Sequence, residues 1–137
     1  MSALTKPNDT LAIRGDSQTF LVAEAVKIFA GSLVVLEAGY AKPGYEATGL
    51  LAVGRACKTV DNSDGLDGYA SITVESSNAN REFYWSNSET DPVTQADIGS
   101  NCYVEDDHTV SMDSSGTSVA GLALGFLDGK VAVRHPV

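Results

Sequence analysis

The stretch Leu122-Ala123-Leu124-Gly125-Phe126-Leu127-Asp128-Gly129-Lys130-Val131-Ala132-Val133 decides the fold class. Leu122, Leu124 and Phe126 alternate before Asp128-Gly129, and Val131 and Val133 alternate after it, which is the period of two that a half-buried strand requires. Asp-Gly between two such runs favours a two-residue type I′ turn, because both residues tolerate positive φ. The expected pairs are Leu127 with Lys130, Phe126 with Val131 and Leu124 with Val133. That register puts the large apolar side chains on one face, and a slip of one residue would destroy it.

Working outward, the same period recurs. Ser71-Ile72-Thr73-Val74-Glu75 puts Ile72 and Val74 on one face, and Glu82-Phe83-Tyr84-Trp85-Ser86 puts Phe83 and Trp85 on one face with Tyr84 on the other. Cys102 to Glu105 and Thr109 to Met112 flank Asp106-Asp107-His108, so a three-residue loop would set Val104 against Val110 and Cys102 against Met112. Phe20 to Phe29 reads as a strand, followed by a turn at Ala30-Gly31-Ser32 into the β-branched run Leu33-Val34-Val35-Leu36. Gly49-Leu50-Leu51-Ala52-Val53-Gly54 reads as a strand with small residues at close contacts. Thirteen glycines leave few windows for a helix. The exception is Thr94-Gln95-Ala96-Asp97-Ile98-Gly99, a helical turn with Thr94 as N-cap, Asp97 three positions on and Gly99 as terminator. These elements add up to an all-β domain, a compact small barrel or sandwich of roughly eight to ten short strands with one helical turn near residues 94–99. Residues 1–10, MSALTKPNDT, lack periodicity and read as an extended arm, with the single β-rich domain covering 11–137.

The chain has 137 residues, enough for one core, and a formal charge of −9. Residues 1–60 carry six bases against five acids, whereas residues 61–137 carry three bases against thirteen acids. An acidic balance without clustered Lys and Arg argues against a nucleic-acid partner. No apolar run reaches the roughly 18 residues of a membrane-spanning helix, so no membrane partner is expected. Met1 to Thr10 has no basic start followed by an apolar stretch, so no secretory leader is expected there. Cys57 and Cys102, far apart in the chain, read as buried reduced thiols.

A search for chemistry finds no catalytic set, no cofactor motif and no metal motif. Asp61 to Gly68 fails the EF-hand template, because Gly65 and Ile72 stand where ligands belong, and Asp, Asn and Gly are ordinary turn residues. His108 and His135 read as loop or edge residues, and no serine lies in a G-x-S-x-G elbow. The contact candidates are different. Tyr40 and Tyr45 flank Ala41-Lys42-Pro43-Gly44, which reads as a turn whose tip would carry two aromatics and the base Lys42. Tyr84 faces away from the core, and Leu4, Lys6 and Pro7 lie in the arm.

The order of segments resembles a known family. Val26-Lys27-Ile28-Phe29-Ala30-Gly31-Ser32-Leu33-Val34-Val35-Leu36, Gly39-Tyr40-Ala41-Lys42-Pro43-Gly44 and Gly54-Arg55-Ala56-Cys57-Lys58-Thr59-Val60-Asp61-Asn62-Ser63 are similar to segments of small proteins encoded beside the major capsid gene of tailed bacteriophages. Phe83-Tyr84-Trp85-Ser86-Asn87, Thr94 to Gly99 and Cys102 to Val110 continue the likeness, which extends over about residues 20–133. The resemblance implies a head decoration, or cement, protein: a non-enzymatic β-rich clamp on the outer surface of the expanded capsid. The resemblance further implies assembly in the host cytoplasm, binding to the major capsid protein and a homo-oligomer, most often a trimer. The competing classes are another structural virion subunit (capsid or tail tube) and a carbohydrate- or ligand-binding β-module.

Overall fold

The computed structural model describes residues 2–10, 17–77 and 81–137. The domain is all-β. It holds twelve strands among these residues, β1 (Ser17–Leu21), β2 (Val26–Ile28), β3 (Leu33–Glu37), β4 (Tyr40–Pro43), β5 (Leu51–Ala56), β6 (Val60–Asn62), β7 (Ser71–Glu75), β8 (Phe83–Asn87), β9 (Asn101–Val104), β10 (Thr109–Ser111), β11 (Val119–Leu127) and β12 (Lys130–Arg134). The number exceeds eight to ten because β2, β6 and β10 are three residues each, too short for their alternation to register in the sequence. The expected start of the domain at Leu11 lies outside the described residues.

Two cores organise the strands. The first lies inside an antiparallel sheet of order β1-β7-β5-β3-β4, which curls until its edges meet at a bridge between Val22 and Ala41. Ala23 N–H donates to Ala41 O at 3.0 Å across that seam. Val22, Ile28, Val34, Ala41, Val53, Ala56, Ile72 and Val74 fill the interior. The second core lies in a closed five-stranded barrel, β10-β8-β12-β11-β9, in which one parallel pair, β10 with β8, closes an otherwise antiparallel ring. Phe83, Trp85, Cys102, Val104, Val110, Ala120, Ala123, Val131 and Val133 pack within it, together with Leu33, Val35 and Ala52 from the sheet. On β3, therefore, Val34 serves one core while Leu33 and Val35 serve the other. A strand buried on both faces needs an unbroken apolar run, which explains Leu33-Val34-Val35. Gly54 lets β5 pass β7 closely: a Cβ there would lie 2.0 Å from Glu75 O.

Ser71–Glu75 and Phe83–Asn87 form the expected strands, with Ile72, Val74, Phe83 and Trp85 buried. The 3-10 turn Gln95–Asp97 is capped as predicted, the Asp97 carboxylate accepting from Thr94 N–H at 2.8 Å and from Thr94 Oγ1 at 2.9 Å.

Four expectations need correction. Phe20 to Phe29 is two strands rather than one, separated by a turn at Glu24-Ala25. Distant partners hold that turn: Asn62 Nδ2 donates to Ala23 O at 2.8 Å, Ala25 N–H donates to Gly65 O at 3.1 Å, and Glu24 N–H donates to Asp67 Oδ1 at 2.8 Å. Ala41-Lys42-Pro43 is not a turn but most of β4. The reversal occurs at Ala38-Gly39, with φ of +51° and +87°, and Pro43 is accommodated because β4 is an edge strand that can forgo an N–H donor. Met112 does not face Cys102: β10 ends at Ser111, and Met112 N–H turns away to Asp91 O at 2.9 Å, while Val104 opposite Val110 holds. Finally, the C-terminal hairpin keeps its Asp128-Gly129 turn and the pairs Leu127–Lys130 and Phe126–Val131, but a bulge at Leu124 makes Ala123 the partner of Val133. Ala120, Gly121 and Ala123 line the barrel, and Leu122, Phe126 and Leu127 are exposed. A ring of five strands already holding Phe83 and Trp85 has room only for small residues along β11. At Gly121 a Cβ would lie 2.1 Å from Arg134 O.

Candidate functional site

The sequence-derived contact residues fall into three places. Leu4, Lys6 and Pro7 lie in the arm, whose residues 2–10 are exposed at every position, Leu4 at 74%. Among the described residues the arm's hydrogen bonds are local, Thr10 N–H to Asn8 O and Asn8 Nδ2 to Thr10 Oγ1, both 3.0 Å.

Tyr40, Lys42 and Tyr45 do come together, around Glu37. The β3–β4 hairpin sets Glu37 opposite Tyr40, and the Glu37 carboxylate takes hydrogen bonds from Lys42 Nζ and, at 2.9 Å, from the Tyr45 hydroxyl. The Lys42 ammonium stands 5.7 Å from the centre of the Tyr45 ring, within cation–π range. These bonds hold the Glu37 carboxyl below its ordinary pKa and raise those of Lys42 and Tyr45. Tyr40, Lys42 and Glu37 share an open cleft of about 440 Å³ with Glu24 and Asp67. Three carboxylates around one already paired lysine make it a polar, negatively charged recess. Tyr45 also packs its ring against the barrel core, so it is a structural residue as much as a surface one.

Tyr84 stands apart on β8, 45% exposed, opposite Ala132 of β12. The hairpin register puts Leu122 and Leu127 on the same outer face of the barrel, Leu127 at 55% exposure. Tyr84 and Leu127 of this strip follow the predicted register, whereas Leu122 was not legible there, because unbroken alternation sends it inward.

At the β9–β10 tip, Asp106, Asp107 and His108 offer three possible ligand atoms within 4.8 Å of one another. His108 Nδ1 lies 3.0 Å from Asp106 Oδ1 and 3.2 Å from Asp107 Oδ1, so the imidazole already occupies both carboxylates. The tip borders an open cleft of about 530 Å³ that also includes Glu89 and Glu105. Around Glu75 the opposing charges balance: burial of the carboxyl is outweighed by Arg55, bound at 3.1 Å, and by Arg81, so its pKa is lowered. Cys57 lies beside this cluster and is exposed, contrary to expectation, because β5 has ended and the chain is turning toward β6. Cys102 is buried as expected, and burial pushes its thiol up to about 12.

His135 is the residue the sequence reading misplaced. It is not an edge residue: it is 4% exposed, accepts a 3.0 Å hydrogen bond from Trp85 Nε1–H at its Nε2, and sets Nδ1 2.8 Å from Ala120 O. The signal was present, since Val131, Val133 and His135 continue the period of two and so share the inward face.

Comparison of the chain with known protein families, with curated proteins and with solved structures finds no match.

Proposed function

We propose that the chain is a capsid decoration protein, a mechanical clamp that binds the outside of an expanded phage head and ties neighbouring major capsid protein subunits together. The observation that carries this reading is the pairing of a packed body with an exposed arm: residues 2–10 are exposed throughout, while two cores interlock through β3 and β5. An arm of this kind can add a strand to an exposed sheet edge, drawing affinity from backbone hydrogen bonds and specificity from alternate side chains. Leu4 and Lys6 supply one apolar and one basic contact for it. The exposed strip Tyr84, Leu122 and Leu127 supplies a second surface on the body, for the capsid or for another copy in an oligomer. Binding only the assembled shell stabilises that state by mass action, and repetition over many sites multiplies modest contacts. The segment likeness described above supports the same reading.

Purified protein added to undecorated, expanded heads of the encoding virus should saturate defined surface positions, visible by cryo-electron microscopy. Deletion of residues 2–9 should lower occupancy at least tenfold with the body still folded. Full occupancy by the deletion variant would remove the arm from the mechanism. Failure of the full chain to bind heads would overturn the decoration reading.

A further inference from the structure

We propose that the C-terminal segment is an acid-released latch, in which neutral His135 pins the end of β12 into the barrel and protonation of its ring lets that end go. The seat is built for the segment. His135 N–H donates to Ser77 Oγ at 2.7 Å, its ring lies 5.8 Å from the Trp85 ring and 6.0 Å from Phe83, and Gly121 on β11 lacks the Cβ that would strike the Arg134 carbonyl and the His135 backbone.

Both ring nitrogens are committed. Trp85 Nε1 can only donate, so His135 Nε2 must carry a lone pair, and Ala120 O can only accept, so the proton sits on Nδ1. Adding a second proton turns the Trp85 bond into two opposed N–H groups and places a cation in a seat that, among the described residues, holds no counter-charge. From β8 the ring faces Phe83 and Trp85, from β11 Ala120 and Gly121, and from the chain after β7 Ser77, none of them titratable. The charged neighbours along these strands, Arg134 and Glu82, bind each other at 3.3 Å, and Arg134 Nε is buried without a hydrogen-bond partner among the described residues. Burial accordingly lowers the His135 pKa to about 4, against the weaker opposing effect of Ala120.

The sign follows from linkage. An unfolded or released histidine takes a proton near its ordinary pKa of about 6.5, whereas the seated one resists to about 4. Between those values the released form binds more protons, so stability of the latch is complete above 6.5 and declines as pH falls, by about tenfold in the equilibrium constant per pH unit.

The test uses the full chain. Hydrogen exchange at the His135 amide and at the Trp85 indole, the only tryptophan, is followed from pH 7 to 4.5 beside the amides of Ile72 and Val74 in the other core. After correction for intrinsic exchange, the two latch sites should lose protection first, roughly tenfold per pH unit below 6.5. In His135→Gln, whose amide can accept from Trp85 and donate to Ala120 without titrating, that slope should disappear. Parallel behaviour of the wild type and His135→Gln, or latch sites that stay as protected as Ile72 and Val74 over the whole pH range, would overturn the latch. Should the variant not fold, an imidazole NMR titration of the wild type decides: a midpoint near 4 supports the proposal, and a midpoint near 6.5 with the indole still protected refutes it. Neither outcome depends on capsid binding.

Discussion

The two cores differ in kind. The fully buried side chains of the curled sheet's core are aliphatic, Val22, Ile28, Val34, Val53, Ile72 and Val74 among them, whereas the barrel carries Phe83, Trp85, a thiol and an imidazole. An aliphatic core holds by area and packing and has nothing to titrate. The barrel, with five strands and a narrow bore, is filled by two aromatics on β8, and the indole N–H that comes with one of them requires an acceptor. His135 meets that requirement and brings pH sensitivity with it.

The contrast can be broken most strongly at Trp85. Trp85→Ala should cost about 3–5 kcal/mol, since it empties the barrel and leaves His135 Nε2 unpaired, and Ile72→Ala about 2–4 kcal/mol in the other core, both read by urea denaturation at pH 7. Acid should separate them next. Lowering the pH from 7 to 4 should remove up to about 3 kcal/mol through His135 in the wild type. The same loss should survive in Ile72→Ala and be absent in a His135→Gln background; equal pH dependence in all three would erase the distinction between the cores. A thiol-reactive reagent at neutral pH should modify Cys57 and leave Cys102 untouched until denaturant is added, with the count of modified thiols rising from one to two by mass spectrometry. The smallest effect belongs to the outer face: Leu122→Ser should change stability by less than about 0.5 kcal/mol, because that side chain points away from both cores. A loss above 2 kcal/mol would mean the inward register is correct after all.

Much of the fold was legible, and the failures have a common cause. The strands at Ser71–Glu75 and Phe83–Asn87, the Asp128-Gly129 turn and the capped turn at Thr94 rest on neighbours within a few residues, so local pattern suffices. The break at Glu24-Ala25 is held from Asn62, Gly65 and Asp67, some forty positions away, and nothing local announces it. Among the contact candidates, the grouping of Lys42 with Tyr45 followed from proximity along the chain, while their shared partner Glu37 needed the β3–β4 hairpin to arrive.

The sequence by itself determined that the chain is all-β, where most of its turns fall and which faces of β7 and β8 are apolar, because a period of two and turn chemistry are properties of adjacent residues. Only the tertiary structure decided that the strands close around two cores, that a bulge at Leu124 turns Leu122 outward, and that a histidine near the C-terminus is a core residue. Those outcomes depend on how much volume a ring of five strands encloses and on which buried donor lacks an acceptor, and both quantities exist only once distant segments have met.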